Sequence, residues 1–206
     1  MFIDSFSLAD DDRTREELGI DLVYSPVGKL KPSVVEAETV QELKEGIESK
    51  RMKSDLLIVF PKSFDVVRSA FSDHRVDIVM EPFLGRKDIG VDHVCMKSAH
   101  ENNVFLGIRF SSFLFSHGRE RAKFLRTLSR LVFLAQKYRA GMSMASGAET
   151  KWDMRRPREM MSLLINAGAE HQFAMDAVGL GLWKKIQENR ERIEGKRFGQ
   201  VVLEDG

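Results

Sequence analysis

Short apolar runs recur along the chain, each followed by a polar stretch able to form a helix, and this alternation restricts the fold more than any other feature. The runs are FIDSF (2–6), IDLVYS (20–25), SVVEA (33–37), DLLIVF (55–60), VDIVM (76–80), NVFLGIRF (103–110) and GMSMAS (141–146). Most are rich in β-branched or aromatic residues and read as strands. Strands that alternate with helices pair in parallel through right-handed crossovers. Seven such runs, or eight if HQFAM (171–175) is counted, fit a TIM-barrel-like α/β fold, a β/α barrel of seven or eight strands, better than an open doubly wound sheet. The chain of 206 residues lies near the short end for that architecture. The first strand is not followed by GxGxxG, which argues against a dinucleotide site.

With 43% hydrophobic and 31% charged residues the chain can bury one sizeable core. Residues 1–194 are expected to form a single barrel domain, and the tail GKRFGQVVLEDG (195–206), with little to bury, is expected to be disordered. The start MFIDSFSLADDD lacks the basic, then apolar, pattern of a secretory signal, and no run approaches a membrane span. Cys95 is the single cysteine, so neither an internal disulfide nor a thiolate-rich metal site is available. A cytoplasmic protein with no membrane partner is expected.

Two helices are marked clearly. In GRERAKFLRTLSRLVFLAQKY (118–138), helical periodicity puts Leu125, Leu128, Val132 and Ala135 on one face and Arg119, Lys123, Arg126, Arg130 and Lys137 in a narrow stripe opposite. In PREMMSLLINAG (157–168), Pro157 stands at the first helical position and Gly168 at the end.

The formal net charge is only +1, but its distribution is uneven. Residues 1–60 hold eight Lys/Arg against thirteen Asp/Glu, a balance of 8 − 13 = −5, whereas residues 119–158 hold eleven against three, 11 − 3 = +8. Outer helix faces usually mix signs, because like charges three or four residues apart repel by a few tenths of a kcal/mol. An unmixed stripe points to a partner of opposite sign, for which RNA or DNA phosphate is the commonest candidate.

Two loops at expected strand ends concentrate the remaining polar chemistry. GRKDIGVDH (85–93) carries Arg86, Lys87, Asp88, Asp92 and His93. It is either a working loop at a barrel rim or a turn whose Asp88 or Asp92 caps a helix beside solvated cations. ETKWDMRRPREMM (149–161) carries Lys151, Trp152, Arg155, Arg156 and Arg158. As a phosphate cradle, its Arg forks and the helix start near Pro157 would hold anions while Trp152 packs on a sugar or base. As a plain loop, Asp153 would pair with a nearby Arg and Trp152 would cover the barrel mouth. Arg109, inside an apolar run, needs either a buried partner or an anion at the rim.

Hydrolytic chemistry is harder to assemble. His74, His93, His100, His117 and His171 include no His-x-His or His-x-x-x-His pair, and there is no Gly-x-Ser-x-Gly elbow, although scattered carboxylates could bind Mg²⁺ weakly.

GRKDIGVDHV, NVFLGIRFSSFLFSHGRERAKFLR and SGAETKWDMRRPREMMSL, in this order and spacing, resemble the eukaryotic/archaeal RNase P protein component 3 family. The resemblance spans nearly the whole chain and is strongest over residues 76–165. It implies a fold related to the polymerase-and-histidinol-phosphatase barrels. It also implies an RNA-binding, non-catalytic subunit of the ribonucleoprotein that removes 5′ leaders from precursor tRNA, stabilising the active fold of the catalytic RNA. The implied partners are RNase P RNA, RNase P protein component 2 and the other RNase P protein subunits, with precursor tRNA as holoenzyme substrate. No cofactor is implied for this chain; Mg²⁺ would serve the RNA. The motif positions are Arg86, Lys87, Asp88, Gly90, Asp92 and His93, then Lys151, Trp152, Asp153, Arg155, Pro157 and Arg158. The chain departs from the pattern at Ser111, where members often carry Arg; Arg109 shares its strand face. FIDSFS lacks the metal-binding His of phosphatase relatives, so metal hydrolysis is not implied. A stand-alone, divergent metal-dependent phosphoesterase of the same barrel is the competing reading.

Overall fold

The computed structural model describes residues 2–26, 30, 32–86 and 88–193, and the backbone of 197–198 and 201–202. In chain order the elements are β1 (Ile3–Asp4), α1 (Asp12–Leu18), β2 (Leu22–Val23), β3 (Ser33–Ala37), α2 (Val40–Lys50), β4 (Leu57–Pro61), α3 (Phe64–Phe71), β5 (Ile78–Met80), α4 (His93–Glu101), β6 (Phe105–Arg109), α5 (Phe110–Leu114) and α6 (Gly118–Tyr138). Then come β7 (Met142–Ala145), α7 (Pro157–Asn166), α8 (His171–Met175), α9 (Gly181–Ile193), β8 (Arg197–Phe198) and β9 (Val201–Val202). All seven principal apolar runs form strands. HQFAM does not: it is helix α8, with Ala174 its one buried residue, and so lacks the alternation a strand needs. The expected disordered tail lies outside the described residues, apart from the antiparallel pairing of β8 with β9.

Strands β3, β4, β5, β6 and β7 form one parallel sheet in sequential order, and β1 pairs in parallel with β2. Side chains alternate across the large sheet. Val35, Leu57, Val59, Val79, Leu106 and Ile108 face the helices and meet Leu43, Ile47, Val66, Met96, Leu128 and Leu164. Ile58, Ile78, Met80 and Phe105 face a second core with Ile3, Tyr24, Leu182 and Ile186, so β1, β2 and α9 lie against the inner face. Gly107 is small because this layer is crowded: a Cβ there would come within 2.5 Å of Ile78 Cγ2.

Hydrogen bonds bring β1 beside the end of β7 without a ladder between them. The Ser146 N–H donates to Asp4 Oδ1 (2.8 Å), the Gly147 N–H donates to the Phe6 carbonyl (2.9 Å), and the Ser5 and Ser143 hydroxyls lie 2.8 Å apart. On the other side, Tyr24 bridges to Leu30, just before β3.

Local sequence sets the helix starts. Thr39, Ser63 and Asp92 are in extended backbone and accept bonds from the N–H groups of Glu42, Val66 and Cys95, capping α2, α3 and α4. Helix α6 spans the residues read from its periodicity, but its buried stripe is Phe124, Leu128, Leu131, Val132 and Ala135, while Leu125 is 36% exposed. The rotation follows from aromatic packing, since Phe124 meets the Phe83 and Phe113 rings at 6.0 and 6.1 Å between centroids.

Helix α9 is fixed to the opposite end of the sheet by a buried ionic cluster. Asp77, just before β5, accepts bonds from Arg51 Nη1 (2.7 Å), Asn189 Nδ2 (2.9 Å) and the Leu57 N–H (2.7 Å). Lys185 Nζ lies 3.6 Å from Asp77 and donates to the carbonyls of Val76 (3.0 Å) and Asn103. Burial holds the Lys185 ammonium below its ordinary range, against the opposing pull of Asp77.

Candidate nucleic-acid interface

In a parallel sheet every strand ends on the same side. The loops after β5 and β7 and the N-termini of α4, α6 and α7 therefore share one rim, and the outer face of α6 runs down the flank from it.

In the loop after β5, Gly90 has φ +70°, and a Cβ there would stand 2.1 Å from the Pro82 carbonyl oxygen, so the turn requires glycine. Arg86 forks onto Asp88 through Nε (2.8 Å) and Nη2 (2.9 Å), while Asp88 Oδ1 accepts the Gly90 N–H (2.9 Å). The guanidinium also sits 5.6 Å from the Phe64 ring centroid. The Arg86 bond holds the Asp88 carboxyl below its usual range. Asp92 caps α4 and accepts Arg68 Nη2 at 2.7 Å. Burial works to raise this carboxyl, but Arg68 and the Cys95 N–H outweigh it and hold it down at about 2. Both carboxylates thus serve the turn and cap. His93 opens α4 and is exposed, its ring 6.4 Å from that of Tyr138. Lys87 lies outside the described residues.

Replacing Asp92 by alanine removes a cap and an ion pair and is expected to cost about 1–2 kcal/mol by chemical denaturation at pH 7. Because the folded-state carboxyl is depressed, the contribution is complete above about pH 4 and lost as pH falls through about 2.

Arg109, at the end of β6, is paired rather than free. Its Nε donates to Glu81 Oε2 (2.7 Å), its backbone N–H donates to Glu81 Oε1 (3.3 Å), and its guanidinium lies 5.5 Å from the Phe60 ring centroid. Sequence reading missed Glu81, which is buried and has φ +46°. Its signal is a carboxylate at the end of an apolar strand, beside a strand that ends in arginine. Ser111 is buried too, and its N–H donates to the Ser146 carbonyl.

The loop after β7 corrects the plain-loop reading at two residues. Among the described residues Asp153 pairs with no arginine: its Oδ2 accepts the Thr150 N–H (3.0 Å) and hydroxyl (2.8 Å), closing the 151–153 turn. Trp152 does not cover a mouth; it is 79% exposed, with Lys151 Nζ 5.0 Å from its ring centroid. Arg155 donates to the Trp152 and Met154 carbonyls (2.7 and 2.9 Å), whereas Arg156 and Arg158 are exposed beside Pro157, the first residue of α7.

The α6 stripe stands clear of these pairings. Arg119, Lys123, Arg126, Arg130 and Lys137 are all exposed, and none forms an ion pair among the described residues. Lys123 Nζ donates to the Arg86 carbonyl (3.0 Å), joining the stripe to the rim. Between them lies a groove of about 450 Å³ lined by Phe83, Leu84, Arg86, Ser112, Lys123 and Phe124. Arg121 is turned away, donating to the Ser116 and Leu114 carbonyls. Among the described residues no three His, Cys, Asp or Glu side chains are grouped so as to hold a metal ion, and no helix is long and apolar enough to cross a membrane.

Residues 33–193 match the family model described as RNase P subunit p30. The chain is 36% identical over 166 residues to Ribonuclease P protein component 3 of Thermococcus gammatolerans, covering 78% of this chain and 72% of that one. It is 35% identical over 162 residues to the protein of that name from Methanosarcina barkeri, covering 78% and 67%. Among solved structures, a chain of archaeal ribonuclease P with mature tRNA, determined by cryo-EM, superposes with a TM-score of 0.75 at 24% identity over 97% of this chain and 86% of that one. An uncharacterized protein superposes with a TM-score of 0.51 at 10% identity over 88% of this chain and 61% of that one. The family-model match covers the rim loops and the basic helix alike, and the chain belongs to the RNase P subunit p30 family.

Proposed function

We propose that this chain is an RNA-binding, non-catalytic protein subunit of ribonuclease P, the ribonucleoprotein that removes 5′ leaders from precursor tRNA. The observation that carries this reading is the row of five exposed cations on α6, free of ion pairs among the described residues and continuous with the rim. A row of unpaired cations neutralises phosphate and releases condensed counterions, a sequence-independent way to hold a folded RNA. Arg156, Arg158, Lys151 and Trp152 extend the surface along the rim, while Arg86 and Arg109 are committed to Asp88 and Glu81 and shape it. The RNA subunit acts as catalyst with its own Mg²⁺, and this chain with RNase P protein component 2 and the other subunits stabilises the active RNA fold in the cytoplasm. The hydrogen bonds between β7 and β1 and the Tyr24–Leu30 bridge support a closed, seven-stranded barrel.

The test is charge reversal at two stripe positions. Lys123→Glu with Arg130→Glu is expected to weaken binding of the full chain to RNase P RNA at least tenfold at moderate salt and to reduce the log–log salt slope by roughly 1.4–1.8. Unchanged affinity and slope would refute the role of the stripe. Turnover of a generic phosphodiester by the protein alone would instead favour the phosphoesterase reading.

A further inference from the structure

The basic row on α6 has six positions, not five. Residues 119, 123, 126, 130, 133 and 137 follow one another at helical spacings of four, three, four, three and four, and the fifth is Phe133. Phe133 lies outside the buried stripe of the helix and is 60% exposed. Lys137 Nζ stands 5.8 Å from its ring centroid, one turn along, and Arg130 lies one turn before it. The same pairing recurs on the rim, where Lys151 stands over the exposed ring of Trp152. A single exposed apolar side chain is ordinary on a protein surface. A flat ring set into a run of cations free of ion pairs among the described residues, with an ammonium lying between it and the Tyr138 ring (5.6 Å), is a combination suited to one chemistry.

We infer that Phe133 is a stacking platform for an unpaired nucleobase, with the phosphates on either side of that nucleotide held by Arg130 and Lys137. The inference rests on the proposed RNA-binding role and adds to it the kind of RNA that the flank selects. From Arg119 to Lys137 the helix rises about 27 Å, with a cation roughly every turn, a cadence that follows a regular polyanion rather than scattered acidic side chains. Cations alone hold paired and unpaired RNA without distinction. In a duplex the base faces are occupied by their neighbours, whereas a bulged or looped nucleotide presents its face to an aromatic ring. The stripe supplies affinity, and Phe133 directs it to a strand with a base turned out.

Two RNA hairpins of equal length test this, one fully paired and one carrying a single bulged 2-aminopurine. Wild-type full-length chain is expected to bind the bulged hairpin about tenfold more tightly and to change the fluorescence of the bulged base. Phe133→Ala should bring the bulged hairpin down to the affinity of the paired one, leaving the paired affinity and its salt slope unchanged. Phe133→Trp should keep the preference. Because the ring is exposed, the alanine variant keeps its fold, and circular dichroism checks that it does. An unchanged preference in Phe133→Ala overturns the stacking role while leaving the RNA-binding role standing. If wild type binds neither hairpin in a salt-dependent manner, the RNA-binding role falls and the stacking role with it. If Phe133→Ala leaves both hairpins unaffected but weakens association with another protein subunit of the complex, the ring is a protein contact and the inference is overturned.

Discussion

Asp77→Ala is expected to destabilise the protein by about 3–5 kcal/mol, the usual consequence of removing one member of a buried ion pair. The Asp77 carboxylate is inaccessible to solvent and receives Arg51, Asn189 and the Leu57 N–H, with Lys185 close by. Deleting it strands two buried cations in a site with little water. Denaturant titration at pH 7 measures the loss, and a loss under 1 kcal/mol would mean that the cluster opens readily to solvent. Replacing Asp77 and Arg51 together with apolar residues of similar volume should cost less than Asp77→Ala alone, because the uncompensated charge is smaller.

The second large effect concerns pH. Asp4, at the end of β1, is fully buried; its Oδ1 accepts the N–H groups of Ser146 (2.8 Å) and Phe6 (3.4 Å), and its Oδ2 has no hydrogen-bond partner among the described residues. Burial raises this carboxyl to about 6 against the lowering by the Ser146 side chain and by the Ser146 and Phe6 N–H groups, and the charge of Asp10 adds to the rise. Between about pH 4 and pH 6 the folded state therefore holds a proton that the unfolded state has released. Stability from this group is complete below about pH 4, falls as pH rises, and is lost above about pH 6. The rise from 3.8 to about 6 corresponds to about 3 kcal/mol. Asp4→Asn, which keeps the accepting oxygen and cannot ionise, should abolish that decline in stability between pH 4 and pH 7. An unaltered slope in the variant would place the titration elsewhere.

Features whose cause is local were legible in the sequence. The seven strands announced themselves as short apolar runs, most of them rich in β-branched or aromatic residues, α6 through its period and α7 through Pro157, because each signal is contained within a few residues of the element it defines. The exposed basic row on α6 came from the same periodicity. The rotation of α6 did not, since it depends on Phe83 and Phe113, which lie elsewhere in the chain. Glu81 as the partner of Arg109 was hidden for the same reason, as was the buried position of Asp4, which reads in sequence as one polar residue in a short strand. HQFAM misled because five residues of mixed polarity carry too little pattern to separate a strand from a turn of helix.

The ionic cluster beneath the sheet joins residues far apart in the order of synthesis. Arg51 and Asp77 leave the ribosome more than a hundred residues before Lys185 and Asn189. Throughout that interval the nascent sheet has no lid at this end, and its inner layer of Ile58, Ile78 and Phe105 has yet to meet Leu182 and Ile186. Helix α9 acts as a keystone that is made only after all seven strands β1–β7, and this delay sets a window in which the newborn sheet most needs shelter from aggregation.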